Sequence, residues 1–236
     1  MKKLLLASAL AALVAAPAFA TANLLTNGSF EDGLTGWVQT DSGDVGAQGH
    51  ADPVVIEYGQ ASNYPTGAYG EAVPADNNAF NPGFDAVGTH GLYFSSDVGT
   101  QTLSQAVSLV AGRSYTFGFD FYLPANGYAN ANGATFSASI GGFPFASFNA
   151  GSEAATTWTL ASGAHTFVAD QTGTFTFSFS ANGFPAKDFV IDRVFLASTA
   201  RVAGDVPEAG TWAMMVVGFG AIGAAGRRRR SSPTFA

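Results

Sequence analysis

Two stretches of the chain alternate strictly between apolar and polar residues. In SYTFGFDFYL (residues 114–123), one side carries Tyr115, Phe117, Phe119, Phe121 and Leu123, and the other carries Thr116, Gly118, Asp120 and Tyr122. In TFTFSFS (174–180), Phe175, Phe177 and Phe179 alternate with Thr174, Thr176, Ser178 and Ser180. Successive side chains of a strand point to opposite faces, so this period of two predicts antiparallel strands with one buried and one solvated face.

Further short apolar runs follow one another along the region after Gly91. They are GLYFSS, TLSQAVSL, ATFSASI, HTFVAD and DFVIDRVFLAS, and the turns between them include VAGRS, PANGYANANGA, DQTGT and ANGFPAKD. No helical periodicity of useful length precedes Trp212. Many short strands joined by Gly- and Asn-rich turns predict an all-β sandwich.

A polar stretch rich in Gly, Asn, Asp and Pro runs from Asp41 to His90 and is interrupted only by PVVIEYG. This is long for a loop in a compact domain. We therefore expect it to form a lid or a binding loop.

The composition supplies ample material for a core. Of the 236 residues, 47% are hydrophobic and 11% are charged, and 21 are Phe. A chain of this length suffices for one large or two small domains. Because the chain has no cysteine, disulfide bonds cannot hold it together, and the core must do so, alone or with a bound metal.

The first twenty residues, MKKLLLASALAALVAAPAFA, have the three parts of a secretory signal. Lys2 and Lys3 form a basic start, residues 4–16 form an apolar run, and the AFA at 18–20 is a small-x-small cleavage site. We predict that this segment is removed and that the mature chain begins near Thr21. The alternative is a permanent membrane anchor, for which the apolar run is short.

The formal net charge of −7 conceals an uneven distribution. Six of the ten basic residues lie in the two terminal segments, whereas sixteen of the seventeen acidic residues lie between Thr21 and Val206. With four basic residues in that region, its balance is −12. Such a surface repels nucleic acid and anionic membranes, so we expect no nucleic-acid partner.

The segment NLLTNGSFEDGLTGW, from Asn23 to Trp37, resembles the opening of carbohydrate-binding modules with a galactose-binding-like jelly roll. The stretches TLSQAVSLVAGRSYTFGFDF and TFVADQTGTFTFSFSANGFPAKDFVIDRVFL fit the later strands of such modules. The resemblance covers residues 23–198 and implies a jelly-roll β-sandwich. Within the opening segment, Phe30 and Trp37 are expected to be core anchors.

The same resemblance implies a structural calcium ion between the first segment and the last strand. Glu31 and Asp192 occupy the matching positions. A hard cation of this kind takes several oxygen ligands, among them carboxylates and backbone carbonyls. The alternative is that the two residues are unrelated acids on the surface.

Aromatic residues in the polar stretch are candidate sugar platforms. Tyr58, Tyr64 and Tyr69 lie in EYGQASNYPTGAYGE, where Glu57 and Asn63 offer hydrogen bonds to sugar hydroxyls. Further candidates on the polar face of the later strands and turns are Tyr122, Asn126 and Tyr128.

The sequence gives little support for catalysis. None of the histidines, His50, His90 and His165, has metalloprotease spacing, and there is no Gly-x-Ser-x-Gly elbow and no cysteine nucleophile. A glycosidase needs two carboxylates at a defined separation, which a sequence does not reveal. We therefore expect a protein that is not an enzyme, with a secreted glycan hydrolase as the open alternative.

The C-terminal segment joins a short uncharged run to a cluster of arginines. Residues 211–226 carry no charge and would span about 24 Å as a helix, against a hydrocarbon core of about 30 Å. By the positive-inside rule, the arginines that follow would hold the C-terminus in the cytoplasm. They are Arg227, Arg228, Arg229 and Arg230.

This constellation resembles the PEP-CTERM sorting signal in its variant with Trp-Ala-Met-Met. The matching residues are Pro207, Glu208, Trp212, Ala213, Met214 and Met215, followed by the uncharged run and the arginines. Ala209 stands where the family usually has Pro, which puts the efficiency of processing in doubt. The resemblance implies cleavage near Glu208 by a membrane-embedded exosortase in a Gram-negative envelope. It also implies a link to exopolysaccharide and biofilm.

The sequence thus predicts a signal peptide (1–20), a β-sandwich (21–200), a linker with the sorting motif (201–210), a transmembrane segment (211–226) and a basic cytoplasmic tail (227–236). The leading interpretation is an exported surface or matrix protein, anchored transiently in the inner membrane, that binds extracellular polysaccharide. A structural or adhesive matrix protein without a sugar site is the main alternative.

Overall fold

The computed structural model describes residues 22–42, 49–59, 73–74, 77, 88–198 and 219. Ten strands form nearly all of the regular structure in this part of the chain. They are β1 (Val38–Ser42), β2 (Val54–Glu57), β3 (His90–Phe94), β4 (Val98–Leu109), β5 (Ser114–Tyr122), β6 (Ala134–Ile140), β7 (Phe143–Asn149), β8 (Thr159–Thr166), β9 (Gln171–Asn182) and β10 (Phe189–Ser198).

The strands form two five-stranded antiparallel sheets. The first sheet has the order β1-β4-β9-β6-β7, and the second has the order β2-β3-β10-β5-β8. Strands that are neighbours in sequence thus often lie in different sheets, as in a jelly roll. The predicted all-β jelly-roll sandwich is confirmed.

Phenylalanine fills the space between the sheets. Phe177 of β9 is fully buried, and its ring centroid lies 4.9 Å from that of Phe119 on β5. Phe30 and Trp37 are buried as predicted, and the Trp37 ring lies 6.0 Å from Phe177. The alternating phenylalanines therefore face the core, as their period of two predicts.

The prediction that the second face of β5 is polar and solvated is wrong. Thr116 is half-buried there, but Asp120 and Tyr122 are 0% and 4% exposed. A second apolar cluster covers this outer face of the second sheet, and it consists of Ile56, Tyr58, Val73, Tyr93, Tyr122, Trp158 and Val190. Since parts of the polar stretch between β1 and β3 contribute to it, the region of the second sheet beneath this cluster is buried on both sides.

The last strand contains a bulge at Arg193. Register shifts between Asp192 and Phe195, and Arg193 has a left-handed φ of 49°. Before the bulge Ile191 faces the core, and after it Val194 does so. Strict alternation would have turned the guanidinium inward, so the bulge keeps a charge out of the core.

The sequence showed no helical periodicity of useful length before Trp212, and the α-helix that the structure has in that region, α1 (Ala125–Ala129), is only five residues long. It lies within the predicted turn PANGYANANGA. In the described part of the chain, no helix has the length and apolar character needed to cross a membrane. The predicted transmembrane segment 211–226 lies outside the described residues except for Phe219.

Candidate functional site

The first segment packs onto the last strand through a tight backbone approach. The N–H of Val194 donates to the carbonyl of Gly28 at 2.9 Å, and a Cβ on Gly28 would lie 2.1 Å from the carbonyl oxygen of Val194. Asn27, with φ 54°, makes the turn, and its carbonyl accepts from the Trp37 indole at 3.0 Å. Thus Asn27 supplies the left-handed residue and Gly28 the space.

Glu31 follows this turn and binds the start of β3. Its Oε1 accepts from the N–H groups of Thr89 and His90 at 2.8 and 2.9 Å, and its Oε2 lies 3.0 Å from His90 Nδ1. Partial burial opposes ionisation, but the hydrogen bonds from His90 and Thr89 prevail and lower the pKa of Glu31. The carboxylate therefore clamps the first segment to the second sheet.

Tyr58 is not the exposed platform that the sequence predicted. It is 6% exposed, and its ring packs edge-on against Trp158 with centroids 5.7 Å apart. Trp158 in turn contacts Tyr122 at 5.2 Å. Because these rings cover one another, Tyr58 offers no free face to a sugar in this structure, and Tyr122 is likewise buried.

Two carboxylates face each other beneath this aromatic layer. Asp120 and Asp192 are opposite residues of β5 and β10, and both are fully buried. The Asn77 amide donates to both, at 2.7 and 3.3 Å, and Arg193 lies 3.4 Å from Asp120. One guanidinium thus balances two carboxylates within this group.

Burial and the neighbouring carboxylates change the acidity of Asp192 and of Tyr58. Burial raises the pKa of Asp192 to about 7, against the nearby Tyr58 hydroxyl and the hydrogen bonds from the Arg193 N–H and the Asn77 amide, which favour ionisation. Burial, followed by the charges of Asp192, Glu31 and Asp120, raises the pKa of Tyr58. The negative charges of all three carboxylates therefore oppose ionisation of the Tyr58 hydroxyl.

The negative charge of these carboxylates would suit the predicted calcium ion. Their side chains do not by themselves form a complete set of calcium ligands. The Glu31 oxygens already accept hydrogen bonds from Thr89 and His90. Among the described residues, Glu31 and Asp192 do not belong to a group of three metal-binding side chains with converging ligand atoms. Calcium at Glu31 and Asp192 stays a prediction.

A shallow pocket opens at one end of the sandwich, where the edge strands β7 and β8 meet. We call it the end pocket; its volume is about 320 Å³, and it is lined by Gly141, Gly142, Phe143, His165, Phe167, Val168, Ala169 and Gln171. The rings of Phe143 and His165 stack with centroids 3.9 Å apart. Val168 at its rim is 95% exposed. Aromatic rings, an imidazole and an amide therefore converge on one concavity.

The outer face of the first sheet carries hydroxyl groups in register. One row crosses all five strands, because register pairs join Thr40, Thr102, Ser178, Ser137 and Ser147 in turn. Thr100, Ser180 and Thr135 continue the pattern in the next row. We call these eight residues the hydroxyl face. It contains no charged side chain.

Several predicted residues fall outside what the structure describes. Tyr64, Tyr69 and all residues of the sorting motif are among them. Tyr128 is half-buried under the ammonium group of Lys187, 4.6 Å above its ring. Sequence reasoning missed the end pocket, although the apolar alternation through HTFVAD and GGFPF could have drawn attention to its aromatic residues.

The chain is similar to several solved structures at low sequence identity. TmCBM61 in complex with beta-1,4-galactotriose is 20% identical, with 75% of this chain and 99% of that chain covered and a TM-score of 0.48. The Stig cyclase Fisc from Fischerella sp. TAU is 14% identical, with coverage of 78% and 100% and a TM-score of 0.49. The CBM22-1-GH10 modules of xylanase 10B from Clostridium thermocellum are 14% identical, with coverage of 78% and 30% and a TM-score of 0.42. Similarity at this level says nothing about what this chain binds.

The end of the chain gives the specific match. No curated protein matches the chain in sequence. Residues 205–230 match the PEP-CTERM protein-sorting motif, as the constellation of Pro207, Glu208, Trp212 and the arginines predicted. This motif implies export, a transient membrane anchor and processing by an exosortase in a Gram-negative envelope. The chain therefore carries the PEP-CTERM protein-sorting motif behind a jelly-roll β-sandwich.

Proposed function

We propose that the protein is a surface or matrix protein without catalytic activity that binds a neutral polysaccharide, associated with exopolysaccharide and biofilm, at the end pocket. The end pocket is the single observation that carries the binding proposal. It combines stacked rings of Phe143 and His165 with the polar side chain of Gln171. Its volume of about 320 Å³ falls in the range of small-molecule sites.

The chemistry of the pocket suits a sugar ring. Sugar rings present apolar C–H faces that pack on aromatic surfaces, and their hydroxyls need hydrogen-bond partners. Phe143 and the largely exposed Val168 provide apolar surface, whereas His165 and Gln171 provide polar atoms. Because the cavity is shallow and open, we expect a dissociation constant in the micromolar to millimolar range, or roughly −4 to −8 kcal/mol.

Charge favours a neutral ligand. None of the residues that line the end pocket carries a carboxylate, and none is Lys or Arg. The region between Thr21 and Val206 has a balance of −12, which repels polyanions over the whole surface. Neutral glycans therefore meet no electrostatic cost, whereas acidic glycans and nucleic acid do.

The hydroxyl face favours a second candidate function, an adhesive matrix protein without a sugar pocket. Its rows of Ser and Thr offer many weak hydrogen bonds across a surface about 19 Å wide, from four strand spacings of about 4.8 Å. Such a surface could hold a polymer or another protein without an aromatic platform. The two candidates place binding on different parts of the same sandwich.

The test titrates the full-length chain in mild detergent with neutral and acidic glycans. His165→Ala and Gln171→Ala should each weaken neutral-glycan binding several-fold, since one aromatic contact or one hydrogen bond is worth about 1 kcal/mol. Ser178→Ala on the hydroxyl face is the matched control and should leave this binding unchanged.

Two results would contradict the pocket. Binding that survives both pocket changes but falls with Ser178→Ala would assign it to the hydroxyl face. An absence of glycan binding at millimolar concentration would favour the matrix protein without a sugar site. Glycan turnover by the purified chain would instead revive the hydrolase alternative.

A further inference from the structure

Three side chains with metal-binding atoms converge beside the edge of the first sheet. Asp41 lies near the end of β1, and His50 and Asp52 lie in the segment that leads to β2. His50 Nε2 is 3.0 Å from Oδ2 of Asp41 and 3.7 Å from Oδ1 of Asp52. One ligand atom from each residue lies within 4.8 Å of the other two. The function proposed above does not involve this group.

The approach of His50 to Asp41 is not a normal hydrogen bond. Both carboxylate oxygens of Asp41 are buried, and within the described chain neither has a hydrogen-bond partner. Nδ1 of His50 is also buried and has no hydrogen-bond partner within the described chain. The Asp41 oxygen therefore lies to the side of the direction in which the imidazole nitrogen carries its proton or lone pair. Buried polar atoms without partners are costly, which points to a missing partner.

Among the described residues, neither Arg113 nor any other Lys or Arg lies within ion-pair distance of Asp41 or Asp52. Arg193 pairs with Asp120, and Lys187 donates to the carbonyls of Tyr128 and Asn130. In the described part of the chain, the imidazole of His50 is the nitrogen group that lies within 4.0 Å of both Asp41 and Asp52. Two carboxylates thus share a single imidazole.

We propose that Asp41, His50 and Asp52 bind a divalent transition-metal ion of the zinc class. Zinc bonds to His nitrogen and carboxylate oxygen are about 2.0–2.1 Å long, so tetrahedral ligand atoms stand about 3.3 Å apart. The two measured separations, 3.0 and 3.7 Å, lie on either side of that value. A small rotation of the Asp52 side chain, which is 64% exposed, would bring its Oδ1 closer to that separation from His50 Nε2.

The donor set selects the metal. An imidazole nitrogen suits zinc, nickel, cobalt or copper, whereas calcium and magnesium prefer oxygen ligands alone. Three protein ligands leave a fourth tetrahedral position for water. Such an ion would pin the segment at His50 to the edge strand β1. The neighbouring backbone is held at the start of β4, because the Asp97 N–H donates to the Gly49 carbonyl at 2.8 Å.

The experiment uses the untagged full-length chain in mild detergent, stripped of metal and titrated with Co²⁺. Tetrahedral Co²⁺ gives visible absorption bands that report the coordination directly. We expect one ion per chain, displaced by Zn²⁺, and at least a tenfold loss of Co²⁺ and Zn²⁺ affinity in His50→Ala. His165→Ala and His90→Ala are the matched controls and should bind as the unchanged protein does.

A second variant separates coordination from folding. The Asp52 side chain is largely exposed, so Asp52→Asn should leave the unfolding temperature of the metal-free chain unchanged and still weaken Co²⁺ binding. An absence of absorption bands at millimolar Co²⁺ would overturn the proposal. So would Co²⁺ affinity that is unaffected by both His50→Ala and Asp52→Asn.

Discussion

At the scale of single residues, Gly28 of the Asn27-Gly28 pair is required although its φ is not left-handed. The left-handed positions nearby are Asn27 and Phe30, with φ of 54° and 57°. Gly28 instead allows the first segment to approach β10 so closely that a methyl group would overlap the Val194 carbonyl. Its role is contact with a distant strand, which local sequence does not reveal.

Gly28→Ala should therefore destabilise the fold. The added Cβ would lie 2.1 Å from a backbone oxygen that cannot rotate away, so we expect a loss of about 1–3 kcal/mol in the free energy of unfolding. Urea denaturation measures it. Gly133→Ala is the matched control, because its Cβ would meet the Asn149 side chain at an ordinary 3.6 Å. Equal stability of the two variants would contradict this account.

A second prediction at this scale concerns calcium and Asp192. A ligand that binds only the folded state stabilises it by about 2.7 kcal/mol at a hundredfold excess over its dissociation constant. Calcium bound at Glu31 and Asp192 would compensate the excess negative charge of Asp120 and Asp192. We expect chelator to lower the unfolding temperature of the full-length chain and Asp192→Ala to abolish the response. Melting curves that are identical with and without chelator would reject this site.

At the scale of elements, β9 shows how a period of two produces two different surfaces. Its phenylalanines are fully buried between the sheets, whereas Ser178 and Ser180 point outward and belong to the hydroxyl face. Phe177 touches rings of three other segments, namely Trp37, Phe119 and Phe136. The strand thus holds the core together from its centre.

Phe177→Ala should consequently cost about 3–5 kcal/mol in the free energy of unfolding, since it removes a buried ring and leaves a cavity. Ser178→Ala on the same strand should change stability by no more than about 0.5 kcal/mol. Thermal unfolding of the two variants gives the comparison. A small effect of Phe177→Ala would mean that the core collapses into the space.

At the scale of the whole molecule, the sandwich and the sorting segment have separate roles. The motif at residues 205–230 implies handling of the chain by an exosortase, and the strands end at Ser198. We predict that the mature surface form lacks residues 1–20 and the segment from about Trp212 onward. Intact-mass measurement of the protein from its native host tests this.

The control for processing is Glu208→Ala, which alters the motif and should leave an uncut form in the membrane fraction. Recovery of the peptide RRRRSSPTFA on the surface-located protein would contradict cleavage. Ala209→Pro restores the usual family residue. Faster processing of that variant would show that Ala209 slows cleavage.

Much of the fold followed from local pattern, and most of the site did not. The alternation of Phe with Thr or Ser predicts which face of β9 is buried, because that depends on neighbours along the strand. The burial of Asp120 depends on a loop that returns to cover the second sheet, as Asn77 and Tyr58 do. Likewise, His165 and Phe143 lie on edge strands of different sheets, so the end pocket exists only after the sandwich has closed.

The position of β10 has a mechanical consequence. It is the central strand of the second sheet, bonded to β3 on one side and to β5 on the other, and the first segment is tied to its end by the bond from Leu24 N–H to the Leu196 carbonyl at 2.7 Å. Tension applied through the C-terminal segment would load these antiparallel bonds together in shear. An edge strand would instead peel away one bond at a time. Tension on the C-terminal segment during export would therefore act on a strand that is hydrogen-bonded on both sides.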